Sequence, residues 1–118
     1  SMAAFEFIHE DERALEEFFR VVKPGGYVLV GTITADSDWG REYISHMPRE
    51  DSVFHHAAFK TADEMRAFFA ERLVASKESV FFPFATTEEE ATRALDDFYK
   101  EKGAVGAFVC LLWQKTLT

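Results

Sequence analysis

A helix that ends in a proline–glycine turn and leads directly into an apolar strand constrains the fold of this chain most strongly. Residues 12–22 place apolar side chains three and four positions apart, which predicts a helix with one buried face. Asp11 is expected to cap its amino end. The KPGG turn at residues 23–26 ends the helix, because Pro cannot continue it and Gly permits positive φ. Residues 27–33 are apolar and largely β-branched, which predicts a strand buried on both faces, as in an α/β sheet.

Two further helices are predicted from capping signals. Thr61 and Glu64 have the spacing of a capping box, and an apolar stripe follows them. Thr87 and Glu90 repeat this spacing before a second stripe that continues to residue 102. Residues 37–44 are expected to include one short helix.

Two further strands complete the predicted elements. Residues 72–84 alternate imperfectly between apolar and charged side chains, which predicts an edge strand with one solvated face. Residues 105–113 are apolar and predict a second buried strand. No linker divides the 118 residues, so we expect a single domain over residues 1–118.

Composition excludes several classes of function. Lys and Arg number 13 against 21 Asp and Glu, a net charge of -8, which argues against a basic face for nucleic acid. One cysteine excludes an internal disulfide and a multi-cysteine zinc site. No apolar run reaches the roughly 18 residues that cross a bilayer, and no signal peptide opens the chain, so we expect a soluble cytoplasmic protein without membrane contact.

Residues 5–33, FEFIHEDERALEEFFRVVKPGGYVLVGTI, resemble the class I S-adenosylmethionine (SAM)-dependent methyltransferases, and most closely the small-molecule group called methyltransferase type 11. The segments SDWGREY, HHAAFKTADEMRAFF and GAFVCLLWQK are similar to the same group in the same order. The residues that match the helix and turn of the family are Asp11, Leu15, Glu17, Arg20, Val21, Val22, Lys23, Pro24, Gly25 and Gly26.

The resemblance implies an α/β fold: a partial Rossmann-like methyltransferase sheet of about three strands, the last antiparallel, with three to four helices. It places the start of the chain near the end of the family's fourth strand, so the Gly-rich cofactor loop is not represented. A full-length parent would use SAM and methylate a small molecule, whereas we expect the isolated chain neither to bind SAM nor to catalyse. The alternative is a non-catalytic truncated or split-gene product that dimerises or pairs with a missing amino-terminal half.

Four residues are candidate substrate contacts by their match to the family, and each has a plainer alternative. Glu6 lies in the loop that faces the substrate, where it would orient the substrate or accept a proton, or it is a solvated carboxylate in a loose terminus. His9 is a base or an exposed histidine. His56 matches the loop histidine, or makes a structural hydrogen bond; the adjacent His55 is a poor chelating partner for it. Trp39 belongs to the segment that caps substrates.

Other side chains have mainly structural interpretations. Tyr43 and Phe54 join Trp39 as an aromatic lid or as ordinary packing. Cys110 is expected to be a buried, inert thiol. The acidic run at residues 88–90 is expected to begin a helix and not to bind metal.

The strand at residues 27–33 is expected to lie at an exposed sheet edge, because the family's fourth strand would cover it. Since no Lys, Pro or inward charge blunts this edge, we expect a homodimer that pairs the strand with its mate. The side chains expected to be buried against the partner are Phe5, Phe7, Phe18 and Phe19.

Overall fold

The computed structural model describes residues 1–2, 4–46 and 58–117. In these residues the helices are α1 (Asp11–Val21), α2 (Asp38–His46), α3 (Ala62–Ala67) and α4 (Arg93–Glu101). The strands are β1 (Tyr27–Ile33), β2 (Leu73–Ser79) and β3 (Phe108–Gln114), in one sheet of order β1-β3-β2 with both pairings antiparallel. The expected α/β class, with three strands and three to four helices, is confirmed.

The central strand β3 joins the two halves of the chain. Its apolar side chains alternate between the faces of the sheet, as a strand requires. One face is fully buried beneath α1 and α3, and the indole N–H of Trp113 donates to the carbonyl of Phe68 at 2.8 Å. The core cluster comprises Phe5, Leu15, Phe19, Val28, Val30, Ala62, Met65, Val109, Leu111 and Trp113.

The opposite face of β1 is exposed over the first half of the strand, so the prediction of a strand buried on both faces is wrong there. Tyr27 is 55% and Leu29 48% accessible, whereas Gly31 is buried and Ile33 is half-buried. Cys110, on the same face of β3, is partly exposed and not buried as expected. The apolar run alone could not show that the described helices lie on only one side.

The start of the chain lies on the free edge of β1. Met2 forms a parallel bridge with Gly31, and the Gly31 N–H donates to the Ser1 carbonyl at 2.8 Å. The Ser1 ammonium group donates to the Leu29 carbonyl at 2.8 Å. The edge position of β1 in the three-stranded sheet is therefore confirmed, but residues 1–2 occupy part of the edge.

Several predicted boundaries move in the structure. Helix α1 begins at Asp11, whose side chain does not cap it but forms a buried ion pair with Lys60 at 2.7 Å. Strand β2 is an edge strand as predicted, but it ends at Ser79 because Val80 takes a left-handed backbone with φ of 62°. Strand β3 and helix α2 differ from the predicted ranges by one to three residues.

Two identical capping signals have different outcomes. Thr61 and Glu64 form the predicted capping box at the start of α3. Thr87 and Glu90 make the equivalent hydrogen bonds, yet only a turn follows, and α4 begins after Thr92, whose hydroxyl accepts from the Leu95 N–H. Spacing predicts the local hydrogen bonds in both cases, but not whether a helix continues from them.

Glu64 also makes the capping box sensitive to pH. The hydrogen bond from the Thr61 backbone N–H holds the pKa of Glu64 below its usual value. A lowered folded-state pKa stabilises the fold fully above the usual value, and that stabilisation is lost as the pH falls through the lowered pKa.

Thr61→Ala should destabilise the protein by about 1 kcal/mol, because the Glu64 N–H at the first turn of α3 loses its acceptor. Thr87→Ala is the matched control, since it removes the same hydrogen bond where no helix follows, and it should change stability by less than about 0.5 kcal/mol. Urea unfolding at neutral pH measures both changes. Equal losses in the two variants would contradict the assignment.

Candidate functional site

Glu6 lies in a short 3-10 turn, Phe5–Phe7, beside the carboxyl end of β1. Its carboxylate accepts a hydrogen bond from the Ile33 N–H at 2.8 Å through Oε2. The residue is only 2% accessible, so the alternative of a solvated terminal carboxylate is wrong. Its second oxygen, Oε1, is buried and has no hydrogen-bond partner among the described residues.

A buried carboxylate oxygen without a donor is unusual, because such groups are nearly always hydrogen-bonded. The Glu6 carboxylate performs one structural task through Oε2, where it satisfies the last N–H of the edge strand. Oε1 keeps an unused capacity to accept a hydrogen bond, and it is closed to solvent in this structure.

Trp39 and Tyr43 stand on α2, which follows β1 after a short turn. The Trp39 indole N–H donates to the Phe82 carbonyl at 2.9 Å, and its ring meets the edge of Phe84 at a centroid distance of 4.9 Å. The Tyr43 ring lies 6.1 Å from Phe84 and 6.1 Å from Phe59. Trp39 and Tyr43 therefore both pack against Phe84, and the indole hydrogen bond fixes the orientation of Trp39.

A cavity of about 290 Å³ lies between α2 and the sheet, at the end of β1 and the start of β3. Among the described residues, no charged side chain lines it. Ile33 lines the cavity and its N–H donates to Glu6, but Glu6 is not itself among the described lining residues. The lining residues are Ile33, Trp39, Tyr43, Val80, Phe82, Ala107 and Phe108.

A second, more polar cavity of about 360 Å³ lies on the other side of Trp39 and Phe82, which line both. Asp36, Asp38 and Arg41 contribute its charges. The Asp38 carboxylate already has partners in this cavity. It accepts a hydrogen bond from the Phe84 N–H at 2.8 Å and lies 3.8 Å from the Arg41 guanidinium group.

The remaining predicted residues do not join this site in the described structure. His9 is exposed and lines an open surface hollow beside the start of α1, away from the cavity of Trp39. His56, His55 and Phe54 lie outside the described residues. Across the part of the chain that the structure describes, no group of three or more His, Cys, Asp or Glu side chains could hold a metal ion, and no helix is both long and apolar enough to span a membrane.

The sequence did not identify the segment that forms the far wall. The alternation predicts Val80 and Phe82 at the end of a long strand, whereas they line the cavity. Asp96 of α4 holds this segment, because its Oδ1 accepts from the N–H groups of both Phe81 and Phe82. The proline in the FFPF run at residues 81–84 was the signal that the strand ends earlier.

The glycine turn before β1 is closely packed. Gly25 has φ of +80°, and an added Cβ would meet the Leu117 side chain at 2.8 Å. A Cβ at Gly26 would meet Val22 at 2.5 Å. Both glycines therefore allow close packing of the chain on itself.

Comparison with known proteins finds a family and a solved structure that are similar to this chain. The family described as "Methyltransferase domain" matches residues 1–30. A solved structure from Thermotoga maritima, described as a SAM-dependent methyltransferase and possible histamine N-methyltransferase, is similar over 98% of this chain at 24% identity, with a TM-score of 0.70. The chain covers 54% of that structure, so it spans about half of its length. No curated protein matches.

The two roles of the Glu6 carboxylate separate in a pair of variants. Glu6→Gln keeps an acceptor for the Ile33 N–H and replaces a buried carboxylate by a less costly amide, so we expect stability equal to the wild type or higher. Glu6→Ala removes that acceptor and should cost about 1–3 kcal/mol. Urea unfolding at neutral pH measures both. A Gln variant as unstable as the Ala variant would show that the charge itself holds the edge.

Proposed function

We propose that this chain, which has a class I methyltransferase-like fold, forms the acceptor-binding part of a SAM-dependent enzyme that methylates a small molecule. In this proposal the isolated chain neither binds SAM nor catalyses the reaction. The Thermotoga relative is described as a possible histamine N-methyltransferase, which makes a nitrogen acceptor one candidate for this chain.

The unpartnered Oε1 of Glu6 is the observation that supports the proposal best. In open α/β sheets, ligands bind beyond the carboxyl ends of the strands, and Glu6 and Trp39 both lie beside the carboxyl end of β1. Methyl transfer requires mainly that the acceptor be positioned, with a base where the acceptor atom must lose a proton. We assign Glu6 to that orientation or proton acceptance and Trp39 to the acceptor wall. His9 and His56 remain proposed substrate contacts.

The first test uses the isolated chain and a chimera. Calorimetric titration of the 118-residue chain with SAM should give no binding heat. A chimera that places the uncovered part of the Thermotoga protein ahead of Ser1 should bind SAM and methylate small amines. In that chimera, Glu6→Gln should lower kcat by about 100-fold if the carboxylate accepts the proton.

Glu16→Gln, on the exposed side of α1, is the matched control for the chimera and should leave kcat unchanged. Micromolar SAM binding by the isolated chain would contradict the proposal that this chain alone does not bind SAM. If Glu6→Gln does not change the kcat of the chimera, Glu6 has only a structural role.

The second candidate function is non-catalytic: a chain that self-associates as a homodimer through Tyr27–Ile33, or pairs with a missing amino-terminal half. It is supported by the exposed apolar side chains around the free edge, where Val21 is 68% accessible beside Tyr27 and Leu29. Two of the side chains expected to meet a partner cannot do so, because Phe5 and Phe19 are buried in the chain's own core. Residues 1–2 and Glu6 also engage this edge at Leu29, Gly31 and Ile33. A second copy of the chain is therefore expected to contact β1 near Tyr27.

Sedimentation analysis tests the homodimer. The wild-type chain should sediment as a dimer, and Leu29→Lys should shift it to monomer, because a charge would be buried at the interface. Val74→Lys is the control, since Val74 is 54% accessible and lies on β2, at the opposite edge of the sheet. A wild-type chain that remains monomeric at every concentration would exclude the homodimer.

A further inference from the structure

The cavity between α2 and the sheet is walled by aromatic rings. Trp39 and Phe82 have their ring centroids 6.4 Å apart in an edge-to-face arrangement, and Phe108 lines the cavity from the sheet. Trp39 and Tyr43 carry the polar side-chain groups of the described lining, and the Trp39 N–H donates to the Phe82 carbonyl. A volume of about 290 Å³ is at the lower end for ligand pockets, which limits an occupant to one or two fused rings.

The wall of this cavity is rigid and strained. Val80 is β-branched and has φ of 62°, a conformation that such residues rarely adopt. The Ala107 N–H donates to the Val80 carbonyl at 2.8 Å, and Asp96 accepts from the next two N–H groups. Backbone strain persists only where the surroundings fix it, and it concentrates at ligand sites. The hydrogen bonds around Val80 thus keep Phe82 facing the cavity.

We propose that this cavity binds an uncharged aromatic ring of the methyl acceptor, of phenyl or indole size, with the polar part of the acceptor directed toward Glu6. This inference rests on the proposed function and specifies its substrate class. Edge-to-face ring contacts and burial of apolar surface favour such a ring. A polar ring such as imidazole loses its hydrogen bonds to water in this lining and is disfavoured.

The test uses the full 118-residue chain without SAM and two probes, indole and imidazole. Two-dimensional ¹H–¹⁵N NMR should show saturable shifts of the Trp39 indole N–H with indole, while the Trp113 indole N–H in the core stays unmoved. Indole should bind at least about tenfold more tightly than imidazole, because it buries more apolar surface. Intermolecular NOEs from indole should reach the rings of Phe82 and Phe108.

Paired variants separate the cavity from nonspecific ring contacts. Phe82→Leu should weaken indole binding by about threefold to tenfold, the value of one aromatic pair. Phe98→Leu is the matched control, because Phe98 is 50% exposed on α4 outside the cavity, and it should bind indole like the wild type. If Phe82→Leu fails to fold, the NOEs in the wild-type chain decide the question.

Any of three results would overturn the inference. These are indole shifts that do not saturate, an affinity for imidazole equal to that for indole, and NOEs from indole only to exposed rings. These results are independent of the proposed function, which is tested by SAM binding and turnover in the chimera. A chimera that methylates amines while its cavity ignores indole would refute the substrate class alone. If the chain binds indole but the chimera is inactive, the ring-binding site is supported and the proposed methyltransferase function is refuted.

Discussion

The antiparallel insertion of β3 between β1 and β2 determines both the core and the candidate site. Because β3 runs opposite to its neighbours, its first residue pairs with the last residues of both: Phe108 lies opposite Ile33 on one side and Ser79 on the other. One row of the sheet thus brings together segments from three distant parts of the chain. The cavity forms at this row, with Val80 following directly after Ser79.

Glu6 binds the end of the edge strand, and its two carboxylate oxygens differ in their hydrogen bonding. Through Oε2 it satisfies the Ile33 N–H, so that the end of the edge strand is less available to another chain. Through Oε1 it bears the cost of a buried acceptor without a donor. The first task would be met equally well by an amide. The unpartnered second oxygen is the physical basis of the role that we propose for this carboxylate.

The local parts of the fold were predictable, whereas the long-range parts were not. The bounds of β1 were correct because turn glycines precede it, and the Thr61 capping box was correct because its hydrogen bonds span only three residues. The two-sided burial of β1 was wrong, since an apolar run does not reveal which neighbours cover each face. Glu6 and Trp39 were identified only through the family resemblance. The contacts of Trp39 with Phe82 and of Phe81 with Asp96 join residues 43 and 15 positions apart, and no local pattern signals them.

The alternation of the strands separates the core from the cavity. Val28, Val30 and the odd-numbered residues of β3 face α1 and α3, whereas Ile33 and Phe108 belong to the opposite set, which the described helices leave partly open. Adjacent side chains of a strand point to opposite faces, so a change in the cavity lining does not alter the packing of the core directly. The fold can therefore retain its stability while the lining changes. A strained Val80 on the cavity side of such a sheet is consistent with selection for a binding surface, because the core would be equally well packed without it.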